Sequence, residues 1–487
     1  MPRRSTAVIG AVVLALASTS VVAVAATPDR PPSYGTAALS GRAVLLAATS
    51  RAGSAPSGAF LGAGDRASAA RNGLVLPATG PAFAEQPLQG ISSLVPADRT
   101  GEWWALSDNG YGARTNSADY ELAVYRVRPS FGTSPTTGGV EVVGGFTLSD
   151  PDDHVTWQTV CDQTGTPLPP LAGNALPTTA PAVCAGGNRV LTGFDFDPES
   201  FQVAADGSFW FGEEFGPFLL HTDAQGRLLQ PPVPVPGVRS PQNPLLDLAA
   251  GERPTAAGSR GFEGLAISPD RRSLYGLLEG AVTGDNPSDL RLYRYDLRRG
   301  ELRGYQTYRT EMPATLVNTA TIARADGTLA YPGDVAPVGT GPAAIGEITM
   351  LDDRRAVVIE RDGGGDAPVV PRLKKLFPVE LDRRWDGRPV EKSPALVDLL
   401  AVPDPGAVGG DGAYFRFPFT TIESVHAVDD HTLVVVNDNN YPFSNGRAFS
   451  RTGSLTGLVP DDNELITVSV GGDLDVDPDL LRAPRSR

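Results

Sequence analysis

Short runs of alternating apolar and polar residues, separated by turn signals, are the dominant pattern of the chain. The clearest example spans residues 193–229, where apolar and aromatic residues flank an Asp206-Gly207 turn on both sides. This arrangement is typical of a β-hairpin. Glu199 and Glu213 lie at equal distances from the turn, so an antiparallel hairpin is expected to bring their carboxylates side by side at its open end.

The same pattern recurs along the chain. Four further hairpins have a polar turn between two apolar runs, and they span residues 90–110, 263–279, 347–360 and 423–438. Four of the five hairpins begin with glutamate, and in all five the second strand ends at an acidic residue. A sixth candidate over residues 319–334 has the turn but only one of the acids. The pattern therefore indicates a repeated unit.

Repeated hairpins without long helices predict the fold class. No stretch has the period of a long amphipathic helix, so the chain is expected to be all-β. A single β-propeller closes such hairpins most economically, because radial repetition removes the exposed sheet edges. The irregular spacing allows five to seven blades, with six favoured. Residues 465–470 are a candidate strand for closing the ring against the first blade.

The two ends of the chain differ in composition from the repeats. Residues 1–26 combine two early arginines, an apolar run and an Ala-x-Ala pattern, which predicts a secretory signal peptide cleaved near Ala25 and a secreted protein. Residues 27–80 are rich in Ala, Gly, Ser and Pro and are expected to be a poorly ordered linker. The propeller domain is then expected over residues 81–475, followed by a C-terminal tail over residues 476–487.

Charge and cysteine content narrow the range of partners. The 487 residues carry a formal net charge of −15, which disfavours nucleic acid and favours cations. Cys161 and Cys184 are the two cysteines of the chain, and their loop predicts a local disulfide; a metal-binding or catalytic thiol is the alternative. The expected partners are a small anionic substrate and a divalent cation, without membrane binding, and the protein is expected to be a monomer.

Equivalent hairpins in a propeller would collect their acids around one mouth. These acids are Asp108, Glu199, Glu213, Glu263, Glu279, Glu347, Glu360, Glu423 and Asp438. Two carboxylates about 4 Å apart repel by roughly 4 kcal/mol at an effective dielectric of 20, so they must be protonated, paired with arginine or bound to a cation. Ca²⁺ held by these oxygens is the favoured hypothesis, and a ring of arginine pairs is the alternative.

Other side chains near these acids have candidate roles in chemistry. Candidate phosphate contacts are Arg114, Arg239, Arg260, Arg361 and Lys374, although each is also explained by a structural charge. Glu214 is a candidate general base. The four histidines form no H-E-x-x-H motif, which disfavours zinc. The sequence around Ser259 lacks the first glycine of a nucleophile elbow, so nucleophilic catalysis has little support.

Several short motifs together resemble a known family. They are Asp197-Pro198-Glu199-Ser200, Gly212-Glu213-Glu214-Phe215-Gly216-Pro217, Arg260-Gly261-Phe262-Glu263-Gly264-Leu265-Ala266, Ile359-Glu360-Arg361-Asp362 and Asn437-Asp438-Asn439-Asn440. Across residues 85–470 the chain resembles the secreted bacterial phytase-like domain, also called "esterase-like activity of phytase". This resemblance implies a β-propeller and hydrolysis of a phosphoester or an ester. The resemblance does not assign a catalytic residue to any position of this chain. At position 109 it leads us to expect arginine, but the residue is asparagine.

These observations lead to one favoured function and two alternatives. The favoured function is calcium-assisted hydrolysis of a phosphoester at the acidic mouth, with the cation bridging the acids and the anionic substrate. A calcium-dependent lactonase or carboxylester hydrolase is the first alternative. A non-catalytic propeller that binds a ligand is the second, because the fold by itself does not specify catalysis.

Overall fold

A computed structural model describes residues 36–133, 137–318, 335–410, 412–449 and 457–484. Most of the regular structure in these ranges is β-strand, beginning with β1 (Ala38–Leu45). Helix α1 (Ala63–Arg71) and two short 3₁₀ turns, Ala182–Gly186 and Gly446–Ala448, complete the helical structure of the described residues. No helix there is both long and apolar enough to cross a membrane. The predicted signal peptide lies outside the described residues.

Five antiparallel sheets form the blades. Blade 1 contains β2 (Ile91–Pro96), β3 (Trp103–Ser107), β4 (Ala123–Ser130) and β5 (Gly138–Thr147). Blade 2 contains β6 (Pro198–Val203), β7 (Phe209–Glu213), β8 (Phe218–Thr222) and β9 (Val233–Pro234). Blade 3 contains β10 (Phe262–Ile267), β11 (Ser273–Leu278), β12 (Asp289–Asp296) and β13 (Glu301–Arg309).

Short additional strands occur along the chain before and between the main strands of the last two blades. Between blades 3 and 4 lie β14 (Ala314–Asn318) and β15 (Val335–Thr340). Blade 4 contains β16 (Ala344–Met350) and β17 (Arg355–Arg361), then β19 (Lys374–Glu380), β21 (Glu391–Lys392) and β22 (Val397–Asp398). Strands outside the blade cores are β18 (Val369–Val370), β20 (Asp386–Pro389), β23 (Val402–Pro403) and β24 (Tyr414–Phe415). Blade 5 contains β25 (Thr421–Asp429), β26 (Thr432–Asp438) and β27 (Asn463–Ser469).

The ring of blades is closed. Each innermost strand contacts the innermost strands of its two neighbours, in the order β2, β6, β10, β16, β25 and back to β2. The described residues therefore form a five-bladed propeller, at the lower end of the predicted range rather than the favoured six. The sixth candidate hairpin lies outside the described residues, and the flanking β14 pairs with β15 on one side and with β18 on the other in a separate small sheet.

The apolar core lies between neighbouring blades. Phe201 and Phe211 of blade 2 stack with their ring centroids 5.9 Å apart, and Phe209 packs edge-on against Trp104 of blade 1 at 5.6 Å. The alternation of side chains along each strand places such rings on the faces that the next blade covers. This packing fixes the orientation of each inner strand toward the propeller axis.

The segment before the first hairpin is part of the propeller. Strand β1 pairs antiparallel with β27 as the outermost strand of blade 5, and its parallel pairing with β5 connects blade 5 to blade 1. The prediction of a poorly ordered linker is therefore wrong for residues 36–80. Small residues give β1 a weak apolar pattern, although its side chains alternate between half-buried and buried. Asn72, after α1, donates to the Phe443 carbonyl oxygen at 2.7 Å, which ties this segment to the loop after β26.

The described part of the predicted C-terminal tail, residues 476–484, packs on the propeller. Val476 and Leu480 are buried, and the Asp477 backbone N–H donates to the Leu351 carbonyl oxygen at 2.7 Å. A small cavity at the hairpin-turn end of the axis is lined by residues between Leu480 and Pro484 and by all five inner strands. The C-terminal residues therefore cover one end of the axis, here called the turn end.

The predicted disulfide is confirmed. Cys161 and Cys184 are bonded, with their Cα atoms 5.1 Å apart. The bond lies in the long excursion between blades 1 and 2.

Candidate functional site

A β-bulge in the inner strand of every blade determines which side chains face the axis. The strand pairing shifts register at the same point of all five hairpins, near the start of the inner strand. The residues left unpaired by these shifts are Ser92, Glu199, Glu263, Gly346 with Glu347, and Glu423. A bulge re-aims a side chain out of the regular alternation. Four of the five blades thus present a glutamate from the bulge.

The second strand of each hairpin contributes one residue at the same end. In each hairpin, one residue of the second strand pairs with the inner-strand residue that precedes the bulge. In blades 1 to 5 this residue is, in order, Ser107, Glu213, Leu278, Glu360 and Asn437. The next residue along the chain has the opposite orientation. Those next residues are Asp108, Glu214, Glu279, Arg361 and Asp438. We call this end of the propeller the open end.

This register corrects two predicted site residues by one position. The Glu213 carboxylate turns back into its own loop, where it accepts the backbone N–H groups of Phe215 at 2.7 Å and Gly216 at 2.8 Å. Burial raises its pKa to about 8. Glu360 accepts hydrogen bonds from Tyr308 and Lys392, away from the other acids. The structure therefore places Glu214 and Arg361 at the axis where the hairpin symmetry had suggested Glu213 and Glu360.

Glu347 is at the axis, but protein donors occupy both of its oxygens. Oε1 accepts the backbone N–H groups of Leu265 and Ile348, each at 2.9 Å, and Oε2 accepts the Ser93 hydroxyl at 3.0 Å. These bonds connect the inner strands of blades 4, 3 and 1. The geometry assigns Glu347 a structural role and leaves it outside the group of acids that share one space.

Eight carboxylates remain together near the axis at the open end. This axial cluster consists of Asp108, Asp197, Glu199, Glu214, Glu263, Glu279, Glu423 and Asp438. None of the eight residues is more than 9% exposed. Buried carboxylates require counter-charges, protons or hydrogen-bond donors.

Arg361 supplies a counter-charge to three acids of the axial cluster. Its Nη2 atom lies 2.8 Å from Glu263 Oε1, 2.9 Å from Glu279 Oε1 and 3.1 Å from Glu423 Oε1. Burial alone would lower the pKa of Arg361, but these three acids outweigh that effect and raise it. The alternative in which arginine pairs with the acids therefore describes Glu263, Glu279 and Glu423.

Three further acids of the axial cluster converge, and two of them have an oxygen atom without a partner. Asp197, Glu199 and Glu214 each offer a carboxylate oxygen within 4.8 Å of the others, and Glu214, Glu263 and Glu279 form a second such group. Asp197 Oδ1 and Glu214 Oε1 are buried and accept no hydrogen bond within the described residues. A set of converging, unpartnered carboxylate oxygens suits a hard cation such as Ca²⁺. The residues present therefore fit such an ion.

The acid–base properties follow from burial and mutual repulsion. Burial raises the pKa values of Glu199 and Glu214 well above their ordinary range, and neighbouring carboxylates raise them further. Burial raises the pKa of Asp197 to about 6, although a hydrogen bond with Glu199 acts in the opposite direction. Burial raises the pKa of Glu423 to about 8, and Asp438 adds to this effect. A bound cation would replace protons at these groups.

The predicted basic contacts occupy different environments. Arg260 lies at the edge of the axial cluster, paired with Glu279, and its side chain is 44% exposed. Arg114 is buried, donates to Asn174 Oδ1 at 2.8 Å and stacks on aromatic rings. Lys374 is fully buried, and burial lowers its pKa to about 8.

Arg239 lies on the loop after β9, with Nε 3.5 Å from Glu252 Oε2. Among the five basic residues predicted to contact phosphate, Arg260 is the one that combines exposure with proximity to the axial cluster. Arg114 and Lys374 are held inside the protein by their hydrogen bonds.

Asp197 was missing from the predicted site. It lies directly before β6, and the bulge at Glu199 brings the two carboxylates to the same place. The sequence allowed Arg361 to be either a phosphate contact or a structural charge, and its contacts with three acids from other hairpins favour the structural charge.

The fold and the site together define a class of protein. It is a closed propeller with a buried carboxylate cluster at one end of its axis, and three acids of this cluster are paired with arginine. A family model described as phytase-like, "Esterase-like activity of phytase", matches residues 86–441, which is well over half of the chain. The chain belongs to this phytase-like family.

Individual relatives are more distant. An "Uncharacterized secreted protein" from Arthroderma benhamiae is 30% identical over 116 residues, covering 21% of this chain and 22% of that protein. The matched segment thus spans about a fifth of the curated relative.

Solved structures that are similar include the PQQ-bound aldose sugar dehydrogenase of Streptomyces coelicolor, with 12% identity, a TM-score of 0.28 and coverage of 90% of this chain and 99% of that chain. The calcium-binding protein regucalcin of Agrobacterium tumefaciens has 9% identity, a TM-score of 0.31 and coverage of 82% and 95%, respectively. The strand pairing, rather than these low scores, defines the fold described above.

Proposed function

We propose that the protein is a secreted, calcium-dependent hydrolase that cleaves a phosphoester at the open end of the propeller. The observation that carries this proposal is the pair of buried, unpartnered oxygens, Asp197 Oδ1 and Glu214 Oε1, in a group of acids with raised pKa values. Membership of the phytase-like family supports the reaction class.

The proposed cation ligands are Asp197, Glu199 and Glu214, whose carboxylate oxygens converge and are not contacted by Arg361. When bound, a divalent cation supplies positive charge that attracts an anionic ester and stabilises the negative charge that develops during hydrolysis. Glu214 belongs to both groups of converging carboxylates, so it connects the proposed cation site to Glu263 and Glu279, which are paired with Arg361. It remains the candidate residue for proton transfer.

Arg260 is the proposed protein contact for the substrate anion. Its partly exposed guanidinium is held by Glu279 at the edge of the cluster, where charge-assisted hydrogen bonds to phosphate oxygens are available. Without positive charge, the acidic open end would repel a phosphoester. The cation and Arg260 together resolve this conflict. Carboxylester hydrolysis remains the second candidate, because the description of the family names an esterase-like activity.

Secretion is part of the proposal. The disulfide between Cys161 and Cys184 favours an oxidising compartment, and the partial relative from Arthroderma benhamiae is described as secreted. N-terminal sequencing of protein recovered from a culture medium would test the predicted cleavage near Ala25.

Removal of calcium is expected to abolish hydrolysis. Phosphate release from phytate and acid release from a simple acyl ester should be measured with EGTA, and again after excess calcium is restored. We expect phosphate release to fall by about 100-fold or more with EGTA, because a cation that stabilises developing charge contributes several kcal/mol, and to recover with calcium.

The two substrates separate the candidate functions. Calcium-dependent acid release without phosphate release would identify a carboxylester hydrolase instead. Hydrolysis of either substrate that is unchanged by EGTA would contradict the role of calcium. No hydrolysis of either substrate by calcium-loaded protein would favour a binding propeller.

A further inference from the structure

A second concave site lies at the turn end, between blades 3 and 4. The cleft has a volume of about 570 Å³ and is bordered by the hairpin turns β10–β11, β12–β13 and β16–β17. These turns lie at the other end of their strands from the axial cluster. The volume falls within the usual range for small-molecule sites, which is about 300–1,000 Å³.

The lining of this cleft is basic in a chain whose net charge is −15. Its arginines are Arg272, Arg294, Arg298, Arg299, Arg354 and Arg383. Its acids are Asp270, Asp296, Asp353 and Asp382. Six arginines against four aspartates give the cleft an excess of two positive charges, opposite in sign to the charge of the whole protein.

Arg294 is the central basic group of the cleft. Its Nε and Nη2 atoms both donate to the Ser273 hydroxyl, at 3.2 and 3.0 Å. Among the described residues, no carboxylate oxygen lies within 4.0 Å of its guanidinium nitrogens, unlike those of Arg291 and Arg299 in the same blade. Two donor atoms thus share one acceptor, and Nη1 has no bonded partner in the described part of the chain.

Three of the surrounding arginines are available to a ligand, whereas Arg299 is paired with Asp296 at 3.0 Å and Arg354 with Glu380 at 2.7 Å. Arg298 and Arg383 are exposed and form no ion pair with a described residue. Arg272 is 3.9 Å from Asp270, with both side chains more than half exposed. Exposed ion pairs of this kind contribute little to stability, so an incoming anion can exchange with the aspartate.

An aromatic wall completes the cleft. The rings of Tyr275 and Trp385 are stacked with their centroids 5.5 Å apart and an interplanar angle of 19°. Both residues line the cavity, and Trp385 is half-buried. A flat apolar surface beside arginine donors suits a ligand that has a ring and a charged group.

We propose that this cleft binds a sugar-sized ligand carrying a phosphate or sulfate group. The tetrahedral oxyanion is held by Arg294 with help from Arg298 and Arg383, and the ring of the ligand packs against Trp385. The site is separate from the axial cluster and does not depend on the proposed hydrolysis. Phosphate and sulfate esters share the recognised chemistry, so the experiment compares both.

Isothermal titration calorimetry at low ionic strength, with EGTA present, tests this site. The probes are glucose 6-phosphate, glucose 6-sulfate and uncharged glucose. We expect saturable binding of at least one charged probe and none of glucose. Arg294→Gln should weaken binding by about tenfold or more, because it removes charge-assisted hydrogen bonds.

Two variants outside the cleft serve as controls for this binding experiment. Arg303→Gln changes an exposed arginine of blade 3 outside the cleft and should bind as the wild type does. Glu214→Gln should also leave this binding unchanged, which separates the cleft from the axial site. If Arg294→Gln does not fold, the exposed pair Arg298→Gln and Arg383→Gln provides the same test. Absence of binding by the wild type, or full binding by the cleft variants, would overturn the proposal.

Discussion

Replacing Arg361 with methionine is expected to lower the free energy of unfolding by about 3–5 kcal/mol, the range found when one partner of a buried ion pair is removed. Its Nη2 atom lies within 3.1 Å of Glu263, Glu279 and Glu423, all of which are buried. Methionine keeps much of the side-chain volume but leaves these acids without their counter-charge. Chemical denaturation with an unchanged slope would measure the loss directly.

The pH dependence of this loss distinguishes lost charge pairing from lost packing. Burial already raises the pKa values of Glu263 and Glu423 above those of the unfolded chain, and loss of Arg361 raises them further, so stability decreases as pH rises and these two acids are forced to ionise. The loss should therefore be larger at pH 8 than at pH 5. The double variant Arg361→Met/Glu263→Gln should recover part of the stability that Arg361→Met loses. A loss below about 1 kcal/mol at both pH values would contradict the role of Arg361 as the counter-ion.

Glu214→Gln is expected to reduce calcium-dependent phosphate release by about 100-fold or more, which corresponds to about 2.7 kcal/mol of transition-state stabilisation. Glu214 belongs to both groups of converging carboxylates, and its Oε1 atom has no hydrogen-bond partner within the described residues. The amide keeps the shape of the side chain but removes the charged oxygen that a hard cation requires. Steady-state phosphate release over a range of calcium concentrations would measure the effect.

Glu213→Gln is the matched control for this prediction. It makes the same chemical change one residue away, at a carboxylate that accepts backbone N–H groups in its own loop. We expect it to lower stability by about 1–3 kcal/mol, since a buried donor loses its acceptor, while calcium-dependent activity remains. Equal loss of activity in both variants would show that the axial position of Glu214 has no special role.

The sequence was sufficient for the repeated hairpins and the all-β fold. Asp206-Gly207 forms the turn of the β6–β7 hairpin, and Phe201 pairs with Phe211 as the symmetric arms predict. Turn chemistry and apolar alternation are local properties, so one chain reveals them. The number of blades is set by how sheets close in space, and β1 pairs with β27 from the other end of the chain.

The predicted and the observed cluster of acids differ partly in register. Counting symmetrically from the turn placed Glu199 opposite Glu213, but the bulge leaves Glu199 unpaired and pairs Pro198 with Glu213. One extra residue in the inner strand shifts its pairing with the second strand by one position, which changes the side chains that lie opposite each other at the axis. The same shift replaces Glu360 with Arg361. A bulge has no simple sequence signal, and it becomes evident only when all five hairpins are compared.

The central claim is that the axial cluster binds calcium, and thermal unfolding with and without calcium tests it most directly. At a calcium concentration about 100 times its dissociation constant, the wild type should gain about 2.7 kcal/mol of stability. The corresponding rise in Tm should persist in Glu213→Gln and disappear in Glu214→Gln. Identical melting curves for the wild type with EGTA and with saturating calcium would contradict the account, as would a full calcium-dependent shift in Glu214→Gln.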